Sequence, residues 1–340
     1  MRYTLLGNSG LRVSEAALGT MTFGTDWGWG APEAETRKQF ELFAEAGGTL
    51  IDTANNYTNG SAETILGDLL AADRDHFVLG TKYSLSLRDG DLNAGGNHRK
   101  SLVTALEASL RRLRTSYVDI LWLHAWDYLT PPEEVMRALD DQVRLGKVLY
   151  LGISDTPAWV VEQMQTLAGG RGWAPFAGLQ VEYSLVQREV ERELIPMARG
   201  LGLGVTAWGP LGAGVLSGKY TSGAPAGDRR LTDIDPVRLA IAREATTVAG
   251  ELGLSPAVVA LAWLRAQGGV VPILGARTAR QLAANLGYLD AELPAEALAR
   301  LDEISRIPRG FPHDFLAGAD FTGGGMTAQL DLPPGRRRYG

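Results

Sequence analysis

The sequence predicts an α/β protein folded as a single (β/α)8 barrel, the TIM barrel. Short apolar segments alternate eight times with helical patterns, which favours a parallel sheet joined by crossover helices. The chain has 340 residues, which fits such a barrel, because its usual length of ~250 residues rises above that with insertions. A doubly wound open sheet is the alternative, but the one loose glycine-rich match, around Gly202 and Gly204, precedes a strand instead of opening a helix after one.

The predicted strands are short apolar runs bounded by polar or glycine-containing segments. They are residues 16–20, 49–53, 77–82, 118–124, 148–154, 178–184, 204–209 and 270–275. Before the first of them, residues 1–14 predict a β-hairpin with a glycine-containing turn. We expect this hairpin to close the floor of the barrel.

The predicted helices show apolar residues at spacings of three and four, as in "SLVTALEASLRRLR". Prolines in "TPPEEVMRAL" and "LSPAVVALAWL" suit a helix start, because the N–H that proline lacks has no helical partner there. The helices are predicted near 33–46, 61–72, 99–113, 132–145, 157–168, 188–200, 236–267 in two pieces, and 278–289. The helical period fades after residue 305, and the glycine- and proline-rich residues 306–340 predict an extended tail.

Composition narrows the class of partner. The net charge of −6 is spread along the chain, without the basic stripe that nucleic acid or an anionic membrane would require. The absence of cysteine excludes disulfides, a thiolate nucleophile and cysteine-ligated zinc. The four histidines are too far apart for a local ligand pair, so no metal site is expected. Without a signal-peptide core or a long apolar run, we expect a cytoplasmic protein with a small-molecule partner.

Several predicted strands end in a polar group, at the barrel end where catalytic residues lie. The second strand ends in Asp52, the third in Lys82 and the fourth in His124, while Tyr57 follows Asp52 by five residues. Each residue alone has a structural explanation, as a turn cap, a solvent-reaching lysine or a buried histidine. Together they suit proton donation to a carbonyl: Lys82 is expected to lower the tyrosine pKa, normally ~10, while Asp52 keeps the lysine charged. Since no side chain donates hydride, a nicotinamide cofactor would be needed.

Eight segments along nearly the whole chain resemble those of the aldo-keto reductases, in the same order. They are "LGTMTFG", "DTANNY", "LGTKYS", "SLRRLRTSYVDILWLH", "GKVLYLGIS", "LQVEYSL", "AWGPLGAGVLSGKY" and "GARTARQLAANL". The resemblance implies a (β/α)8 barrel that binds NADP(H) without a Rossmann domain and reduces aldehydes or ketones, with Tyr57 as the acid. The seventh segment resembles the branch that includes bacterial general reductases and potassium-channel β-subunits.

The resemblance also implies a set of cofactor residues at strand ends and in the loops that follow them. They are Thr20, Met21, Asp52, Ser154, Asp155, Gln180, Trp208, Gly209, Pro210, Leu211, Gly212, Lys219, Gly275, Arg277, Gln281 and Asn285. Two positions depart from the family pattern. Asp155 stands where Asn is common, and a carboxylate cannot donate to the carboxamide oxygen. Ala284 stands where many members carry an acid near the adenine.

Within that set, the resemblance assigns Ser154 and Gln180 to the carboxamide and places Trp208 against the nicotinamide ring, where stacking would select one ring face. The glycines of "GPLGAG" would let the pyrophosphate approach the backbone. Lys219 and Arg277 would flank the adenosine phosphate. A cation at a helix start opposes the helix dipole and is favoured there by a nearby anion.

Aromatic residues in the loops after the first and fourth strands are expected to wall the substrate pocket. They are Trp27, Trp29, Trp126 and Tyr128. They favour aromatic or medium-sized apolar carbonyl substrates, although packing of the loops explains some of them equally well. Two other functions stay open: a lyase or aldolase forming a Schiff base at Lys82, which needs a depressed lysine pKa, and a cofactor-sensing subunit with little turnover. The oligomeric state is also open.

Overall fold

The chain opens with an antiparallel hairpin of β1 (Tyr3–Leu5) and β2 (Arg12–Ser14). It lies at the amino-terminal end of the barrel, where the Asn8 backbone N–H donates to the Gly202 carbonyl at 2.8 Å. Leu6, in the hairpin turn, is buried in an apolar cluster that includes residues of the barrel strands. The predicted N-terminal hairpin is therefore present, and its turn plugs the barrel floor.

The computed structural model describes residues 1–221, 233–317, 323–326 and 329–331. Eight parallel strands form a closed barrel, each paired with its neighbours in chain order and the last paired with the first. They are β3 (Ala17–Gly19), β4 (Leu50–Asp52), β5 (Val78–Tyr83), β6 (Val118–Leu123), β7 (Val148–Ser154), β8 (Phe176–Glu182), β9 (Gly204–Trp208) and β10 (Val270–Leu274). The predicted (β/α)8 fold is confirmed.

The helices surround the barrel, and most begin within two residues of the predicted position. They are α1 (Glu33–Glu45), α2 (Ser61–Leu70), α3 (Arg99–Leu113), α4 (Pro132–Arg144), α5 (Ala158–Arg171), α6 (Leu194–Leu201), α7 (Pro236–Leu252), α8 (Pro256–Ala266), α9 (Ala279–Leu286), α10 (Ala295–Ser305) and α11 (His313–Ala317). The helix predicted at 188–200 begins later, because a short 3-10 turn occupies Glu189–Glu191.

Sequence reasoning missed α10, which buries Ala297 and Leu301 and follows Pro294 at its N-cap. The predicted tail is not wholly extended, since it contains the five-residue helix α11; residues 318–322, 327–328 and 332–340 of that tail lie outside the described residues. Over the described ranges, no single helix is long and apolar enough to cross a membrane. The bent pair α7 and α8 meets that test only jointly, by length and composition.

A tryptophan fills the lower interior of the barrel. Trp122 on β6 is 2% exposed, and the neighbouring strands carry glycines beside its indole. A Cβ placed on Gly80, Gly152 or Gly178 would lie 2.8, 2.2 or 2.9 Å from the Trp122 side chain. Trp122 and Leu6 thus belong to an apolar cluster that fills the lower part of the barrel. The polar residues lie at the opposite end, the carboxyl-terminal mouth of the barrel.

Candidate active site

Three of the four predicted catalytic residues form a hydrogen-bonded group at the mouth. The Lys82 Nζ donates to Asp52 Oδ2 at 2.7 Å, to the Thr53 carbonyl at 2.8 Å and to the Tyr57 hydroxyl at 3.1 Å. Lys82 is 1% exposed and Asp52 5%, whereas Tyr57 is half-buried. Since a lysine ammonium has three donors, these contacts use all of them and fix its position.

The charges within this group follow from burial and pairing. Burial alone would lower the pKa of Lys82, but Asp52 and Tyr57 more than offset it, so the pKa is raised and the ammonium stays charged. Burial raises the pKa of Tyr57 above its ordinary value, and the Lys82 charge only partly opposes it. Lys82 thus acts on this pKa in the expected direction, but the net pKa is raised because desolvation outweighs the ion.

His124 lies beside Tyr57 at the end of β6. Its ring stands edge-on to the tyrosine ring, with 6.1 Å between centroids, and its backbone N–H donates to the Tyr83 carbonyl at 3.0 Å. Burial, together with the Lys82 charge, lowers the pKa of His124 to about 3. The imidazole is therefore neutral, and the buried Nδ1 has no hydrogen-bond partner among the described residues.

A buried acid behind the site supports the segment that carries Tyr57. Glu63, on α2, is fully buried; it accepts from the Thr81 hydroxyl at 2.6 Å and from Arg112 Nε at 2.7 Å. Thr81 immediately precedes Lys82, and Arg112 packs against Gly60 in the Tyr57 segment. Sequence reasoning missed Glu63, although an acid within the apolar pattern of "SAETILG" was an available signal.

Polar side chains of neighbouring strands surround Asp52. Gln180 Nε2 donates to Asp52 Oδ1 at 2.9 Å, and the Thr20 hydroxyl donates to the Asp52 carbonyl at 3.0 Å. Ser154 is fully buried; its hydroxyl lies near the Asp155 carboxylate but has no partner in good hydrogen-bond geometry. Met21 is half-buried next to Thr20. The mouth thus gathers residues from β3, β4, β7 and β8.

Asp155 directly contacts the predicted ring-stacking residue. Trp208 Nε1 donates to Asp155 Oδ1 at 3.2 Å, and Asp155 holds this place with a φ of +37°, a region unusual for a residue other than glycine. Burial raises the pKa of the Asp155 carboxyl, against the opposing effects of Trp208, Ser154 and Lys82. The sequence could not indicate this Asp155–Trp208 contact, because it depends on how β7 and β9 flank β8.

The loop after β9 turns sharply on glycines. Gly209 and Gly212 have φ values of +62° and +55°, and the Gly212 N–H donates to the Gly209 carbonyl at 2.8 Å. Leu211 is half-buried and Pro210 buried between them. Lys219 reaches back over this loop, so that a Cβ on Gly214 would lie 2.8 Å from its ammonium nitrogen. The loop therefore combines close backbone approach with a cation.

The loop after β10 presents a second cation. Arg277 is exposed and makes no side-chain hydrogen bond or ion pair within the described ranges; its backbone N–H donates to Gln281 Oε1 at 2.9 Å. Gly275 is exposed and Asn285 buried. Thr22 donates to the Ala276 carbonyl at 2.6 Å, which ties this loop to the loop after β3.

Two of the four predicted pocket aromatics pair with each other. Trp27 and Trp29 have ring centroids 5.5 Å apart, and Trp27 donates to Asn59 Oδ1 at 3.2 Å, close to Tyr57 in the chain. Trp126 is half-buried against the core, whereas Tyr128 is 70% exposed. The structure thus places all four in loops at the mouth, with Tyr128 at its outer edge.

The chain matches known proteins over most of its length. The Aldo/keto reductase family model matches residues 16–306. A norsolorinic acid reductase of Emericella nidulans is 38% identical over 322 residues, covering 91% of this chain and 82% of that protein. An aryl-alcohol dehydrogenase of Pestalotiopsis microspora is 38% identical over 332 residues, covering 93% and 85%.

A further relative is an aryl-alcohol dehydrogenase of Phanerodontia chrysosporium, whose name specifies NADP(+). It is 37% identical over 331 residues, covering 89% of this chain and 86% of that protein. The family match spans the barrel from before β3 to the end of α10. The chain therefore belongs to the aldo/keto reductase family of oxidoreductases, as its motifs predicted.

Proposed function

We propose that this protein is an NADPH-dependent reductase of aldehydes and ketones in which Tyr57 donates the proton. The observation that carries the proposal is the buried Lys82 ammonium, which holds Asp52 at 2.7 Å and the Tyr57 hydroxyl at 3.1 Å. Family membership and the reductase and dehydrogenase names of the relatives agree with this chemistry.

The described residues fit a dinucleotide. The buried Ser154 hydroxyl lacks a well-placed partner, as a group awaiting a polar ligand would. The half-buried Trp208 indole offers a stacking surface, and the glycine turn at Gly209 permits close backbone approach. Lys219 and the uncompensated Arg277 would take the phosphates. When bound, the nicotinamide supplies the hydride.

Each protein group then has a defined task. Tyr57, kept neutral by its raised pKa, has a proton to give to the carbonyl oxygen. The Lys82 charge stabilises the phenolate that this leaves, and Asp52 holds the lysine in place. His124, neutral because of its lowered pKa, offers a hydrogen bond that orients the substrate oxygen without adding a charge.

The Schiff-base alternative conflicts with the state of Lys82. An imine-forming lysine needs a depressed pKa, whereas the pKa of Lys82 is raised and its three donors are occupied. A cofactor-sensing subunit and a reductase would use the same cofactor site. A measurement of catalytic turnover therefore distinguishes these two functions.

The test is a panel of aromatic and aliphatic aldehydes and ketones with NADPH, following cofactor absorbance. We expect many turnovers per enzyme, fastest with aromatic aldehydes, because Trp27, Trp29 and Trp126 border the mouth. Tight NADPH binding without turnover across the panel would instead favour a sensing subunit. A borohydride-trapped adduct on Lys82 would favour the Schiff-base lyase.

A further inference from the structure

Two carboxylates lie near Trp208 at the mouth, at the ends of β7 and β8, and we call Asp155 and Glu182 the rim carboxylates. Asp155 Oδ1 accepts from the Trp208 indole at 3.2 Å. Glu182 is paired in register with Trp208 across β8 and β9, and a Cβ on the next residue, Gly209, would lie 3.6 Å from Glu182 Oε1. The buried, poorly partnered Ser154 hydroxyl lies near the Asp155 carboxylate. Trp208 thus contacts one carboxylate directly and is paired in register with the residue that carries the other.

The cations that act on Asp155 and Glu182 are Lys82 and Arg238, and neither hydrogen-bonds to these carboxylates. Lys82 is paired with Asp52, while Tyr57 and His124 are neutral at neutral pH. Arg238, which acts on Glu182, donates to Gln187 Oε1 at 2.7 Å. Burial raises the pKa of Glu182, Arg238 opposes this effect, and the charge of the nearby Asp155 adds to the rise. The ring-stacking position therefore has an excess of negative charge.

We propose that the rim carboxylates make this site hold oxidised cofactor more tightly relative to reduced cofactor, and so make the bound reduced cofactor a stronger hydride donor for carbonyl reduction. The inference rests on the proposed function, since it needs the nicotinamide to lie against Trp208. The oxidised ring is a cation and the reduced ring is neutral. A nearby carboxylate attracts only the first, whereas every other part of the two molecules is the same.

The effect should be moderate and sensitive to salt. Although protein atoms partly desolvate its carboxyl, the Asp155 side chain is exposed at the surface. Solvent therefore weakens its field in the free protein, and exposed charges are screened within ~8–10 Å at ordinary ionic strength. We expect each rim carboxylate to change the ratio of the two dissociation constants by about fivefold, as for an exposed ion pair worth about 1 kcal/mol.

The experiment measures the dissociation constants of NADP(+) and NADPH by calorimetry in the wild type, Asp155→Asn and Glu182→Gln. Asparagine keeps an oxygen acceptor for the Trp208 N–H and removes only the charge. We expect both variants to weaken NADP(+) binding about fivefold and to leave NADPH binding nearly unchanged. The matched control is Asp75→Asn, which removes the same charge from an exposed position just before β5, at the opposite end of the barrel; it should leave the ratio unchanged.

The outcomes separate the two proposals. A wild type that binds neither cofactor form overturns the proposed function itself. Binding of both forms, with a ratio that neither rim variant changes or with equal losses of both forms, overturns only the inference about the rim carboxylates.

Discussion

At the scale of single residues, burial decides the charge of each group in the site. Lys82 is almost fully buried yet charged, because Asp52 accompanies it. His124 is neutral, because burial and the same lysine both disfavour a second cation. Tyr57 is neutral because desolvation outweighs Lys82. The site thus combines a buried ion pair, Lys82 with Asp52, with two neutral groups that carry protons, Tyr57 and His124. Such an arrangement can stabilise negative charge that develops on a substrate oxygen, and its proton donors keep their protons until then.

The first prediction concerns the proton donor. Tyr57→Phe should lower reduction ~10²–10⁴-fold, the usual loss when general acid catalysis is removed, and should leave NADPH affinity nearly unchanged. Stopped-flow single-turnover rates and cofactor titration measure the two effects. Tyr128→Phe is the matched control, since it removes a hydroxyl from an exposed tyrosine at the outer edge of the mouth. Retention of more than a tenth of the wild-type rate would exclude Tyr57 as the acid.

The second prediction concerns His124 and pH. Its pKa of about 3, against an ordinary value near 6.5, means that the unfolded chain takes up a proton in this interval while the folded chain does not. Stability should therefore fall as pH drops from 6.5 toward 3. His124→Gln lacks this titration, so its melting temperature should decline less than that of the wild type between pH 7.5 and 5. Equal declines would contradict a neutral buried imidazole.

Substitutions of His124 also test its role in turnover. We expect His124→Ala to reduce kcat/KM far more than it reduces the folded fraction, and His124→Gln, which can still donate a hydrogen bond, to recover part of that loss. A large fall in melting temperature with normal activity of the folded enzyme would instead assign His124 to packing.

At the scale of elements, a hydrogen-bonded clasp joins the loops after β5 and β6, and the second of these loops carries Trp126 and Tyr128. Asp127 Oδ2 accepts from the Asn97 N–H at 2.7 Å, and Asn97 Oδ1 accepts from the Asp127 N–H at 2.8 Å. Asp127 also accepts from Thr130 and Leu129. Since Asp127 lies between Trp126 and Tyr128 in the chain, the clasp sets where both aromatics stand.

The third prediction follows from the clasp. Asp127→Ala leaves the N–H of buried Asn97 without its acceptor and should lower the free energy of unfolding by about 1–3 kcal/mol. Although burial acts the other way, hydrogen bonds from Asn97 and Thr130 lower the pKa of Asp127. This stabilisation is therefore present above the unfolded-state pKa of ~3.9 and is lost as pH falls through the lower folded value.

Urea unfolding of Asp127→Ala, Asn97→Ala and the double variant measures this coupling. The two single losses should not add, because both substitutions break the same reciprocal contacts. Additive losses would show that the loops are held independently. The Michaelis constant for an aromatic aldehyde should also rise more than that for a small aliphatic one.

At the scale of the whole molecule, the periodicity of apolar residues was enough to predict the barrel, because each strand and helix is a local pattern. The location of Asp52, Lys82 and His124 at one mouth followed from the rule that parallel strands end together. Contacts between distant segments were not predictable: the Asp155–Trp208 hydrogen bond, the Glu63 network and the glycines around Trp122 depend on register and packing. The raised pKa of Tyr57 likewise depends on burial that no motif reports.

Closure of the barrel also brings the loop after its first strand, β3, next to the loop after its last strand, β10. Because β10 pairs with β3, the Arg277 loop lies beside the loop after β3, held by the Thr22 hydrogen bond to Ala276. A dinucleotide that reaches from the Tyr57 side to Arg277 would therefore be bound by segments more than 200 residues apart in sequence. The proposed cofactor site would therefore form only when the barrel is closed.

The last prediction is a preference for NADPH over NADH that depends on Arg277. An exposed guanidinium without a described ion-pair partner can bind the adenosine 2′-phosphate through charge-assisted hydrogen bonds, which a ribose hydroxyl cannot replace. Since such bonds contribute ~1.5–3 kcal/mol each, Arg277→Ala should weaken NADPH binding tenfold or more and barely alter NADH binding. Dissociation constants for both cofactors decide the matter, with Arg280→Ala, an exposed arginine on α9, as the control. Equal losses for the two cofactors in Arg277→Ala would mean that Arg277 supports the loop and does not recognise the phosphate.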